Sequence, residues 1–172
     1  MKSGNRLALL IGCTMLAIAA CKKDDTPTPT PTPPYVRTQR DYLQDGKWQI
    51  TKIPVKVSVY GFPLDSVDAY DTVKACAKDD YAIFKSWGKI YTYENTQKCN
   101  SANPDVDSSG TWTLSDDFKK MTADVKSYPL NNKNFDVLEL TDTSLVLYQS
   151  FDTTYMSYPA NVKVRVLFKN IK

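Results

Sequence analysis

An all-β fold, an eight-stranded antiparallel up-and-down barrel behind a proline-rich N-terminal tether, is the class this 172-residue sequence predicts. Three observations predict it. After residue 34, eight runs of strand-forming residues, several with clear apolar–polar alternation, are joined mostly by short turn-like segments. Eleven Tyr, six Phe and three Trp stand beside only six Gly, a composition that suits strands. Helical periodicity is confined to one short stretch near residues 38–44.

The N-terminus is read as an export segment. Residues 1–6 carry Lys2 and Arg6 and no acid, and residues 7–20 carry no charge. Fourteen residues make a helix of roughly 21 Å, short of the ~30 Å hydrocarbon core, so a signal peptide over residues 1–20 fits better than a membrane span. The run ends Ile18-Ala19-Ala20-Cys21, which resembles the lipobox of bacterial lipoproteins. That resemblance implies cleavage before Cys21, diacylation of its thiol (palmitate-type chains) and acylation of its new amine. Several acyl chains at ~0.8 kcal/mol per buried methylene hold such a residue durably. An ordinary secretory signal with a chance cysteine is the alternative. Lys22-Lys23-Asp24-Asp25 resembles the tag that sends lipoproteins of some Gram-negative bacteria to the outer face of the outer membrane. Surface exposure is therefore expected, with the periplasmic face as the alternative. Residues 26–34 read TPTPTPTPP; alternating proline removes amide donors and favours polyproline II, giving a stalk of roughly 28 Å. The tether thus spans 21–34 and the folded domain 35–172.

The domain shows no second proline-rich break and no internal repeat. A chain of this size buries nearly 70% of its unfolded surface, so one core suffices. Strands are expected at 48–60, 81–86, 89–95, 110–115, 118–125, 134–141, 145–151 and 161–169. In the last, Val162, Val164, Val166 and Phe168 share a face, with Lys163, Arg165 and Lys169 opposite. In the first, Trp48 and Ile50 are even-numbered but Ile53, Val55, Val57 and Val59 are odd. That change of phase predicts a bulge or bend around Lys52–Pro54. Closing eight strands removes exposed edges and leaves an interior that either fills with side chains or holds one small ligand.

Gly46-Lys47-Trp48, after a short helical turn and opening the first strand, resembles the Gly-x-Trp motif of the lipocalins. The order of later pieces resembles the lipocalin-like domains of bacterial lipoproteins: Cys76-x-x-Asp79-Asp80-Tyr81, Cys99, Gly110-Thr111-Trp112, then Leu138-x-Leu140-Thr141 and Leu145-x-Leu147. The likeness covers roughly residues 46–168. It implies that Gly46 and Trp48 close one end of the barrel beneath an Arg of the last strand, for which Arg165 is the candidate. The alternation, however, puts Arg165 on the polar face. Another eight-stranded sandwich or half-barrel is the competing fold.

Charge and residue types bound the chemistry. With Lys2 and Arg6 removed, 20 bases face 19 acids, a net +1 that excludes a nucleic-acid-binding field. No histidine is present, so Ser-His and Cys-His catalysis has no base. Cys76 and Cys99, an even pair in an oxidising compartment, are read as a disulfide; Cys13 falls in the removed signal. Asp105, Asp107, Ser109, Gly110 and Asp116 have the spacing of an EF-hand calcium loop, although the twelfth position is Asp and the flanks are not helices. The other reading is an acidic turn in which Gly110 starts a hairpin. Asp79-Asp80 and Asp116-Asp117 are read as solvated turn charges, since neighbours on a strand point to opposite faces. Phe84, Tyr91, Tyr93 and Trp112 are the candidate lining of a cavity for a small apolar or amphipathic ligand, or simply filled core. Aromatics at 60–62 and 151–158 would instead form a platform for glycans or an envelope protein. A monomer without enzymatic activity or cofactor is expected.

Overall fold

The computed structural model describes residues 33–125 and 133–172. The chain divides at Tyr35 into a first unit, Met1–Tyr35, and a second, compact one, Val36–Lys172. The second holds every described strand, the core and the disulfide, all that an independently folding domain requires. It opens with α1 (Gln39–Asp45), a single helix one residue later than the sequence suggests, because Thr38 is its N-cap. The Asp41 backbone N–H donates to Thr38 Oγ1, and Asp41 Oδ2 accepts from the Thr38 backbone at 2.6 Å, a capping box.

The strands are β1 (Trp48–Lys52), β2 (Pro54–Val59), β3 (Phe62–Pro63), β4 (Val67–Asp68), β5 (Tyr81–Lys85), β6 (Lys89–Tyr93), β7 (Val106–Leu114), β8 (Lys120–Val125), β9 (Asn134–Leu140), β10 (Ser144–Tyr155) and β11 (Tyr158–Asn170). Neighbours pair antiparallel in the order β1, β5, β6, β7, β8, β9, β10, β11, and β11 returns to pair with both β1 and β2. Counting β1 and β2 as one bent strand, the sheet is a closed eight-stranded barrel. The bend falls where the apolar phase changes. Register slips between Ile50 and Lys52, the Ile53 N–H turns to Asp68 Oδ1 at 2.8 Å, and Pro54 has no N–H to give.

Alternation sets the inside. Val164, Val166 and Phe168 face inward from β11, and Leu145, Leu147 and Gln149 from β10. One end of the barrel carries α1 and the short turns after β5, β7 and β9. Leu43, Trp48, Leu114, Met121, Leu140 and Leu145 pack there. Arg40 Nη2 ties the helix to the sheet through Leu114 O at 2.9 Å. At the other end lie the 94–105 connection, the tip of the β10–β11 hairpin, and the 60–80 excursion with β3, β4 and two 3-10 turns. β1 meets β5 at a single pair, Trp48 with Ala82. Beyond it the excursion bridges the gap, since Lys78 O accepts from both Gln49 Nε2 (2.9 Å) and Tyr70 Oη (3.1 Å).

Several expected boundaries move. β7 starts at Val106, so Gly110 lies inside a strand instead of opening a hairpin. A Cβ on Gly110 would sit 1.6 Å from Asp124 O, so only glycine lets β8 approach this closely. Phe118 belongs to the turn before β8, at φ 59°. The β10–β11 hairpin runs on to Tyr155 opposite Tyr158, through Met156 and Ser157 at φ 48° and 68°. Positive φ at both central residues matches the twist of the flanking strands. The pair is not the Asn-Gly type that announces such a turn, which is why alternation alone ends these strands early.

Candidate ligand-binding site

Inside the barrel lies a cavity of about 630 Å³. Its apolar wall comes from all the barrel strands but β7: Ile50 and Ile53 from the bent first strand, Phe84 and Ile90 from the β5–β6 hairpin, Ala123 and Val125 from β8, Phe135 from β9, Leu147 from β10, and Val164, Val166 and Phe168 from β11. Trp48 reaches it from the α1 end. This volume lies within the ~300–1,000 Å³ of ordinary small-molecule sites.

Four predicted aromatic positions divide. Phe84 lines the cavity, and Tyr93 contributes beside Tyr81, on which its ring stacks at 4.9 Å. Trp112 is packed core instead. It meets Phe84 edge-on at 5.6 Å, and its Nε1 donates to Lys85 O at 3.0 Å. Tyr91 pairs with Ile83 on the face opposite Phe84 and Ile90, so the inward phase expected for it is wrong.

The end-closing motif also divides. Gly46 is pressed on Trp48: a Cβ there would lie 2.6 Å from the indole nitrogen, which donates to Leu43 O at 2.8 Å. Arg165 is exposed opposite Tyr148 on the outer face, while Trp48 is buried inside, so the stacking that the lipocalin resemblance implies does not occur.

The calcium reading fails on geometry. Asp105 and Asp116 are separated by the nine residues of β7, about 30 Å of extended chain, and do not converge. Asp105 pairs with Lys98, and Asp116 lies 3.9 Å from Arg40. The side chains of Asp107 and Ser109 lie outside what is described. Among the described residues no cluster of His, Cys, Asp or Glu forms a metal site. Cys21 and most of the tether also lie outside the described residues.

The aspartate doublets behave differently from each other. Asp117 is a turn residue as expected: hydrogen bonds from Ser115 Oγ and the Lys119 N–H hold its carboxyl below the ordinary range. Asp79 is a clamp instead of a solvated charge. Its Oδ2 accepts from Thr96 N (2.9 Å), Thr96 Oγ1 (2.7 Å) and Gln97 N (3.2 Å). Burial works against its ionisation, but these bonds prevail and lower its pKa. The Cys76–Cys99 disulfide ties the same two segments, with Cα atoms 5.1 Å apart. Asn103 and Pro104 of the loop so anchored line the cavity.

Asp80, unlike its neighbour, faces the cavity with Glu94, Thr92 and Gln149. Sequence reasoning took Asp80 for a solvated turn charge, which its place on the cavity wall corrects, and passed over Glu94 and Gln149 as site residues. The available signal was parity: Asp80 continues the inward series of Ala82 and Phe84, and Gln149 that of Leu145 and Leu147.

A family model described as "Lipocalin-like domain" matches residues 45–147, from the turn before Trp48 to Leu147 on the cavity wall. No curated protein and no solved structure matches the chain. The matched span is more than half of the 172 residues and contains the glycine–tryptophan contact and most of the strands that enclose the cavity; the chain belongs to the lipocalin-like domain family.

Proposed function

We propose that this protein is a non-enzymatic, lipid-anchored outer-membrane lipoprotein whose barrel takes up one small apolar or amphipathic molecule. The observation that carries the binding reading is the apolar cavity of about 630 Å³ enclosed by the barrel. Burying a ligand there needs no covalent step, since the driving force is removal of apolar surface from water. The anchoring part rests on the lipobox-like Ile18-Ala19-Ala20-Cys21, with Lys22-Lys23-Asp24-Asp25 favouring the outer face and 26–34 acting as spacer for a monomeric domain. Titration of the Val36–Lys172 unit with the neutral dye N-phenyl-1-naphthylamine tests the cavity. Saturable one-to-one fluorescence enhancement is expected, weakened about tenfold or more by Ala123→Phe, which puts a ring into the void. Binding unaffected by that substitution would place the dye elsewhere.

A second reading is a surface module for glycans or another envelope protein. It is favoured by the pairing of β2 with β11, which brings the two aromatic loops together, with the Tyr60 and Tyr158 rings 5.5 Å apart and both exposed. Loss of glycan or protein capture on Tyr60→Ala with Tyr158→Ala, with dye binding intact, would select it.

A further inference from the structure

We propose that the cavity's occupant is a cationic amphiphile, an apolar body between the barrel walls with an ammonium-type head held by Asp80, Glu94 and Gln149. The inference rests on the cavity-binding reading above and adds the chemistry of the head. Asp80 and Glu94 occupy facing positions just beyond the Tyr81–Tyr93 pair of β5 and β6, and both line the cavity. One oxygen of each is engaged: the Asn95 N–H donates to the Asp80 carboxylate, and Asn103 Nδ2 donates to Glu94 Oε1 at 3.0 Å. The other oxygens, Asp80 Oδ1 and Glu94 Oε2, are buried without a donor. Gln149, 6% exposed on β10, adds a third buried acceptor without a donor, its Oε1.

Buried acceptors are almost always matched, so three on one apolar cavity call for donors from outside the chain. The sign of the site is also set. Two carboxylates line the cavity and no lysine or arginine does. Among the described residues neither forms an ion pair. Burial, and then the charges of Asp79 and Glu94, push the Asp80 carboxyl above its ordinary value, against the Asn95 hydrogen bond that lowers it. An anionic head would add a third like charge, and an alcohol offers a single donor. An ammonium brings a positive charge and three donors.

Calorimetric titration of the Val36–Lys172 unit at neutral pH with decylammonium, decanol and decanoate separates these heads on one chain length. Decylammonium is expected to bind about tenfold or more tighter than decanol, the size of a charge-assisted hydrogen bond, with decanoate weakest. In Asp80→Asn with Glu94→Gln, decylammonium should bind no more tightly than decanol does to the same variant, and a cooperative thermal melt reports that the variant is folded. Equal binding of amine and alcohol by the native chain, or a preference surviving in the double variant, overturns the assignment of the head and leaves cavity binding standing. Failure of all three to bind overturns the cavity reading itself.

Discussion

Gly110 governs how closely β7 and β8 approach, and it does so by lacking a side chain. Gly110→Ala puts a Cβ 1.6 Å from a backbone oxygen, which no rotamer relieves. A loss of about 1–3 kcal/mol or more is expected, read as a lower urea midpoint at unchanged m-value. Asp79 and Asp80, adjacent in sequence, should respond oppositely to pH. The lowered pKa of Asp79 means a contribution present at neutral pH, above the unfolded value of about 3.9, and lost as pH falls through the folded value. The raised pKa of Asp80 means a contribution present below about 3.9 and lost as pH rises through its folded value. Melting temperatures across the acid range should therefore show Asp79→Asn less stable than the native protein at neutral pH, and Asp80→Asn more stable. Both gaps should shrink in acid. Gaps independent of pH would contradict these roles. At this scale the Gly46–Trp48 contact was legible because a short motif carries it. Arg165 was the weak member of that motif, and the alternation of β11 correctly kept it outside.

Among the elements, the hairpins were legible where turn chemistry agreed with alternation, as at 86–88 and 142–144. They were misjudged where it did not, as at Met156–Ser157. The bend between β1 and β2 was legible because Pro54 and the change of apolar phase coincide. The 60–80 excursion was not, since β3 and β4 are two-residue strands with no period to read. That excursion matters because the disulfide and the Asp79 clamp fasten it to the 94–105 loop beside the cavity. The Cys76–Cys99 bridge closes a sequence separation of 23. The chain-entropy treatment gives about 3.4 kcal/mol for such a loop. Cys76→Ser with Cys99→Ser should lower stability by about that amount and weaken dye binding through the loosened loop. Equal dye affinity in the bridged and unbridged forms would show that the staple serves folding alone.

For the molecule as a whole, the closed barrel follows from eight strands with turn-like connections, and the order of motifs along the chain pointed to the family. The cavity was less legible. Its volume is a sum over some twenty positions on most of the strands and the loops beside them, and small errors of phase, such as that at Tyr91, change who lines it. The register irregularity between β9 and β10 shows the same sensitivity: it accompanies a Leu138 that is 52% exposed while Leu140 is buried. The buried polar side chains on the wall are inward by parity, yet a linear reading takes Asp80 for a turn charge and Gln149 for an ordinary strand residue.

Native mass spectrometry of the Val36–Lys172 unit, incubated with a mixed lipid extract and exchanged into volatile buffer, is the most direct test of the cavity as a binding site. One adduct of roughly a few hundred daltons per chain, the drug-sized cargo such a volume accepts, is expected, and it should be absent from Ala123→Phe. Bare masses for both proteins, or the same adduct on both, would contradict it.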